Sequence, residues 1–242
     1  MKRIVIVGAT SGIGNEVAKG YLKLGWRIGV AGRRQEELEK FQALAPEKVE
    51  IQVLDVTEAD APEKLQLLIN KLGGMDLFFL SSGVGSQNLQ LDIQIELNTA
   101  KTNVEGFIRM VTTAFDYFRK QSGGHIAVIS SIAGTKGLGS APAYSATKRF
   151  QNTYIEALEQ LSCMEKLNIR FTDVRPGFVA TALLKNDKYP MLMHADKVAS
   201  HIIRALNNKR HVATIDFRYA VLVFFWRMIP RWLWRNLPVR NN

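Results

Sequence analysis

The sequence predicts a doubly wound α/β domain, a parallel sheet with helices packed on both faces. Three observations predict it. Short apolar, β-branched runs recur along the chain, and amphipathic stretches of helical period separate them. The first run ends in a glycine-rich turn that leads straight into a helix. Strands apolar on both sides suit a sheet covered on both faces. At 242 residues and 47% hydrophobic content, the chain is large enough for one substantial core.

The elements follow in order. Ile4–Val7 reads as the first strand, Gly8-Ala-Thr-Ser-Gly-Ile-Gly14 as its turn, and residues around 13–24 as the first helix. Strands follow at Arg27–Ala31, Val49–Leu54, Leu77–Leu80, His125–Ser130 and Ile169–Val174. Helical stretches lie around 34–44, 58–72, 99–120 and 143–163. Right-handed crossovers then wind the sheet in both directions from its centre. Ligands in such sheets bind beyond the strand C-termini, at the switch point. The polar residues that stand out in this chain fall just after predicted strands, on that side.

Composition excludes several classes. Cys163 is the sole cysteine, so an internal disulfide is excluded and a reducing compartment is expected. Cys163, His125, His194, His201 and His211 lack metal-ligand spacing, so no metal is expected. The start runs directly into a strand without an apolar leader, so a cytoplasmic location is expected. The net charge is +10, but from Arg204 onward eight basic residues face one acid, Asp216. The basic character belongs mainly to this tail, and no nucleic-acid partner is expected.

The turn has a physical task. Gly8 permits a tight turn, Gly12 lets backbone approach a diphosphate, and Gly14 lets helix and strand pack closely. The helix N-terminus then offers free N–H groups to phosphates. The second strand ends Val30-Ala31-Gly32-Arg33-Arg34, with no acid to bind a ribose 2′-hydroxyl. Guanidinium groups match a phosphate by charge and geometry, which points to NADP(H). Arg33 is expected on the 2′-phosphate, with Arg34 nearby or stacked on adenine. Asp55 either accepts from the adenine amino group or caps the next helix.

Tyr144 and Lys148 stand one helical turn apart, on one face. A cation there is expected to lower the phenol's pKa and make it a general acid or base near neutral pH.

Together with Asn103, Ser131 and Pro176-Gly177, these residues resemble the short-chain dehydrogenase/reductase family, from the start to about residue 215. The family's glycine turn matches Gly8–Gly14. Its catalytic Asn, Ser, Tyr and Lys match Asn103, Ser131, Tyr144 and Lys148. Its Pro-Gly turn and following Thr match Pro176-Gly177 and Thr181. The resemblance implies a single-domain Rossmann-type sheet of order 3-2-1-4-5-6-7 over 1–215, with a lid over 178–196 and a separate tail, 216–242. It implies cofactor contacts from Gly8, Thr10, Ser11, Gly12, Ile13, Gly14, Val56, Ser82, Gly83, Tyr144, Lys148, Pro176, Gly177, Val179 and Thr181. Tyr144 would serve as general acid/base, and Lys148 would tune it and bind ribose. Ser131 would polarise the substrate oxygen, and Asn103 would hold a water leading to Lys148. One departure is the family's Asn-Asn-Ala-Gly, here Leu80-Ser81-Ser82-Gly83, where a short hydroxyl replaces a bracing amide.

The expected activity is reduction of a carbonyl, or its reverse on an alcohol, in a small and apolar substrate. The apolar character follows from Leu183, Leu184, Tyr189, Met191, Leu192 and Met193 in the lid. The alternative is a non-catalytic NADP(H)-binding regulator or membrane-surface scaffold. The tail's apolar run Tyr219–Trp226 is far short of the roughly 20 residues that span a bilayer. Arg227, Arg231 and Arg235 recur every four residues, opposite Trp226, Ile229, Leu233 and Leu237, with Trp232 and Trp234 between. Pro230 breaks or starts a helix there. Residues 219–237 therefore read as an anchor on an anionic membrane face, or as a contact with another subunit. The resemblance implies a homodimer or homotetramer built on helices 99–120 and 143–163 and the C-terminal segment.

Overall fold

The structure is a computed structural model and describes residues 1–182, 184 and 189–239. Its strands are β1 (Arg3–Val7), β2 (Arg27–Gly32), β3 (Val49–Val53), β4 (Leu77–Leu80), β5 (Gly124–Ile129) and β6 (Ile169–Pro176). Three short strands follow, β7 (Val179–Ala180), β8 (Met193–His194) and β9 (Val212–Ile215). The main sheet is parallel and ordered β3-β2-β1-β4-β5-β6-β9, so β9 takes the seventh place. β7 and β8 pair with each other as a small separate sheet. The order reverses between β1 and β4, and the switch point lies there.

The strands alternate sides, which divides the core in two. Ile4, Ile6, Val30 and Phe79 pack with Val17 and Tyr21 of α1 (Gly12–Lys23), Leu38 of α2 (Gln35–Gln42) and Ile202 of α7 (Ala195–Asn207). Val5, Val7, Phe78 and Phe171 pack with Leu65 of α3 (Ala61–Leu72), Phe115 of α5 (Phe107–Lys120) and Ile155 of α6 (Pro142–Met164). Each such side chain contributes about 1.5–3 kcal/mol when fully buried. Tyr219 and Val223 of α8 (Phe217–Met228) are buried in the first of these cores.

The helical stretch expected over 99–120 is longer and is not one regular helix. It begins as α4 (Ile93–Ala100), widens into a π-helical turn over Lys101–Gly106, and continues as α5. Gly106 closes this turn against Val56, and a Cβ there would stand 2.6 Å from Val56 Cγ2. After α8 the chain turns at Pro230 into α9 (Arg231–Trp234). Among the described residues, no helix is long and apolar enough to cross a membrane.

Candidate active site

The glycine-rich turn follows β1, and its backbone settles its composition. Gly8 has φ +89, where other residues are strained, and a Cβ there would stand 2.5 Å from the Ser82 amide nitrogen. The loops after β1 and β4 therefore touch, which brings Ser82 and Gly83 beside the turn. Ser11 is the N-cap of α1, and among the described residues its side chain does not cap the helix amides. Those amides face outward as donors for an anion. Ile13 packs on the core beneath.

Arg33 and Arg34 border this turn from the end of β2. Arg34 donates to Thr10 Oγ1 through Nε (3.3 Å) and a terminal nitrogen (2.9 Å). Arg33 lies 3.9 Å from the Asp55 carboxylate. Asp55 accepts from the Thr57 amide (3.0 Å) and hydroxyl (2.9 Å), so it caps the turn after β3. It does not cap the following helix, whose N-cap is Asp60. Burial pushes the Asp55 carboxyl up, but Thr57, Arg33 and Lys101 outweigh it and hold the group below the usual range. Uncapped helix amides and two guanidinium groups at one sheet edge fit the phosphates of a dinucleotide.

Tyr144, Ser131, Lys148 and Asn103 converge beside the loop after β4. Tyr144 sits in the first turn of α6. That turn is started by Pro142 and capped from α4, because the Ala143 amide donates to the Glu96 carboxylate at 2.9 Å. The loop passes directly over the phenol, and a Cβ on Gly85 would enter the Tyr144 ring. Ser131, just past β5, stands beside the Tyr144 hydroxyl and acts to hold the phenol's pKa down. Lys148 is buried and donates to the Ile129 carbonyl and to Gln151 Oε1, both at 3.0 Å. A Cβ on Gly83 would lie 3.5 Å from Lys148 Nζ and 3.3 Å from Asn103 Oδ1.

Burial pushes the Tyr144 phenol above its ordinary value, and Ser131 opposes this only in part. The sequence had suggested the opposite direction, with Lys148 lowering it. The geometry explains the difference. The ammonium turns to Ile129 and Gln151 and stands 5.8 Å from the Tyr144 ring centroid. Burial also pushes Lys148 itself down to about 8, with the Asp173 carboxylate resisting.

Asn103 lies in the π-helical turn, fully buried. Its side chain accepts from the Val84 amide (2.9 Å) and donates to the Val84 carbonyl (2.7 Å), so it clamps the loop after β4. Its own carbonyl accepts from Gln151 Nε2 at 2.9 Å. A glutamine amide thus joins Asn103 to Lys148.

Sequence reasoning missed the polar groups behind Lys148. Asn152 donates to Ser130 Oγ and to Asp173, both at 2.8 Å, and Ser130 also donates to Asp173. Arg175 donates to the same carboxylate at 2.7 Å. Gln151, Asn152, Ser130 and Asp173 are all buried. The available signal was their register. Gln151 and Asn152 lie three and four residues after Lys148, and Asp173 is a carboxylate inside a strand, where Asp is rare.

The Pro176-Gly177 turn closes the site. The Ser131 hydroxyl points to the Pro176 carbonyl at 3.5 Å. Val179 is buried and pairs with Met193. Thr181 reaches back to the first turn, with its Cγ2 3.1 Å from where a Cβ on Gly12 would be. Tyr219 packs over Gly177, and its hydroxyl accepts from the Phe178 amide (3.1 Å) and donates to the Pro190 carbonyl (2.9 Å). The expected lid lining is placed only in part. Phe178 meets Tyr189 ring to ring, tilted by 34° at 4.8 Å, while Met191 and Met193 pack into the core. Leu183 lies outside the described residues. Among the described residues, no group of His, Cys, Asp and Glu is arranged to hold a metal ion.

A seven-stranded parallel sheet of this order, with its site at the switch point, defines the class as a Rossmann-fold protein. Two solved structures share the fold. An alcohol dehydrogenase from Thermococcus sibiricus, complexed with 5-hydroxy-NADP, superposes with TM-score 0.78 at 23% identity, covering 89% of this chain and 95% of its own. A short-chain type dehydrogenase/reductase from Mycobacterium marinum gives 0.79 at 24% identity, covering 89% and 94%. The family model for short chain dehydrogenase matches residues 2–190. An uncharacterized oxidoreductase of Myxococcus xanthus is 34% identical over 196 residues, covering 77% of this chain and 76% of that one. Another, of Staphylococcus saprophyticus, is 30% identical over 231 residues, covering 89% and 94%. The chain belongs to the short-chain dehydrogenase family of oxidoreductases.

Proposed function

We propose that the protein is an NADP(H)-dependent carbonyl reductase acting on a small apolar ketone or aldehyde. The observation that carries this reading is the meeting of Tyr144, Ser131 and Lys148 beside the glycine-rich turn of α1. The nicotinamide, when bound, supplies the hydride. The α1 amides hold the diphosphate, and Arg33 and Arg34 hold the 2′-phosphate. Thr10, Ser11, Gly12, Gly14, Asp55, Val56, Ser82, Gly83, Pro176, Gly177, Val179 and Thr181 line the remainder of the cofactor. Lys148 binds the nicotinamide ribose. Ser131 donates to the substrate oxygen, where negative charge develops, and Tyr144 delivers the proton. Asn103 fixes the loop that carries Gly83 and Gly85.

The aromatic pair Phe178 and Tyr189 just after the Pro176-Gly177 turn supports an apolar substrate. The protein works in a reducing, cytoplasmic compartment as a homodimer or homotetramer. Support for assembly comes from Ile93 and Leu97, which α4 leaves exposed beside α6. The test is Tyr144→Phe. Turnover of NADPH with apolar ketones should fall by about 10²–10⁴-fold. NADPH affinity should stay nearly unchanged. Substantial residual turnover would remove Tyr144 as the acid.

A further inference from the structure

Helix α8 is apolar on two opposite sides, yet the described residues cover only one of them. Tyr219 and Val223 face the core. On the other side Phe217, Val221, Phe224, Phe225 and Met228 recur at helical spacing and stand open to solvent. The large ones are well exposed: Phe217 at 80%, Phe224 at 61%, Phe225 at 59% and Met228 at 67%. Trp232, 65% exposed, extends the surface onto α9. A contiguous patch of this kind marks an interaction site.

The charges around the patch select the partner. At helical spacing Arg218 and Arg227 fall on the two flanks of the apolar stripe, and exposed Arg231 and Arg235 continue beyond Pro230. On the Arg218 flank a cleft is lined by Lys197, His201 and Arg204 together with Arg218 and Asp216. Asp216 is the single acid of the segment, and it pairs with Arg218 at 2.9 Å. An apolar stripe edged by arginines fits an anionic interface, with rings in the acyl boundary and guanidinium groups at headgroup phosphates. A second copy fits poorly. A two-fold contact through this stripe would set the same arginines against each other.

The surface is fixed rather than dangling. Trp234 Nε1 donates to the Gly137 carbonyl at 2.8 Å, and Lys136 donates to the Ile229 carbonyl at 2.7 Å. Trp226 and Trp234 meet edge to face at 5.4 Å. These contacts bind the tail to the segment that follows Ser131.

We propose that the outer face of α8, with Trp232 of α9, docks the protein on an anionic lipid surface. Tyr219, on the inner side of the same helix, lies over Gly177, so docking sets the helix that covers the Pro176-Gly177 turn at the lipid surface. Under the reductase reading, apolar substrate then arrives from the bilayer.

The full chain is tested by sedimentation with phosphatidylcholine vesicles and with vesicles of equal phosphatidylcholine and phosphatidylglycerol. The expected result is strong, salt-sensitive binding to the second and weak binding to the first. Arg227→Glu with Arg231→Glu should weaken the anionic binding by about fivefold per arginine or more. Phe224→Ser with Phe225→Ser should weaken it comparably, while the melting temperature and NADPH titration match the unaltered chain. Absence of binding to anionic vesicles at low salt would overturn the proposal. So would a homodimer in analytical ultracentrifugation that the Phe224→Ser, Phe225→Ser variant dissociates, since a second copy would then cover the face. NADPH titration reads the reductase proposal separately, so either reading can fail alone.

Discussion

Replacing Arg33 by alanine tests the cofactor assignment most directly. The Arg33 side chain is 72% exposed, and its nearest charged partner is Asp55 at 3.9 Å. It has little structural work to lose, so its removal should leave the fold and the melting temperature unchanged. A hydrogen bond to a charged group contributes about 1.5–3 kcal/mol in a protein. Solvent screening at so open a position reduces this to about 1–2 kcal/mol, or about a 5–30-fold loss of NADPH affinity. Arg34, held on Thr10, stays in place and retains part of the phosphate interaction. NADH lacks the 2′-phosphate, so its affinity should barely move. The assay is a fluorescence titration of both cofactors against both proteins, at low and high salt. The preference for NADPH should shrink in the variant, and the salt dependence of NADPH binding should shrink with it. Equal weakening of NADPH and NADH would refute the reasoning, because it would place Arg33 on a feature the two cofactors share.

Further outcomes follow from the site. The kcat/KM for NADPH should be level near neutral pH and fall as pH rises through about 8, where buried Lys148 loses its charge. Asp173→Asn should move that fall to lower pH, because Asp173 is the charge that resists the burial of Lys148, and an unmoved inflection would exclude this coupling. Tyr219→Phe removes a hydroxyl that accepts from Phe178 and donates to Pro190, which should cost about 1–3 kcal/mol of stability by chemical denaturation. Under the proposed function, in which the segment after Gly177 folds over the substrate, the same change should raise KM for the carbonyl substrate more than it lowers kcat.

Much of the fold was legible because short β-branched strand runs alternate with amphipathic helices, and the central strands β1, β2 and β4 are apolar on both sides, as a doubly covered sheet requires. The seventh place in the sheet came from the family resemblance. Its strand, β9, is four residues long with an exposed Val212, too short to stand out by period. The π-helical turn was not legible, since it depends on hydrogen-bond register and on Gly106 meeting Val56, a contact fifty residues distant in the chain. The polar residues after strand ends were legible as a group, because chemistry-bearing residues there converge at the switch point. Gln151, Asn152 and Asp173 were not. Each taken alone reads as a solvated residue, and only the packing of α6 on β6 turns Asn152 and Asp173 toward each other.

Under the proposed function, the protonation of the site decides which form of Tyr144 is ready to act. Burial raises Tyr144 and lowers Lys148, and the two shifts have different consequences at neutral pH. Tyr144, already a phenol there, is held more firmly as one. Lys148, at about 8, still carries its proton, with Asp173 facing its positive charge from beneath. Below that pH the site holds both protons beside the position where a substrate oxygen meets Ser131. Reduction of a carbonyl consumes one proton at that oxygen, and Tyr144 has it to give. Oxidation of an alcohol requires Tyr144 first to become a phenolate inside a buried pocket, which its burial opposes. Under the proposed function, the same desolvation keeps Tyr144 in its phenol form near neutral pH, the form that acts as the acid in carbonyl reduction, and puts the phenolate needed for oxidation at more alkaline pH.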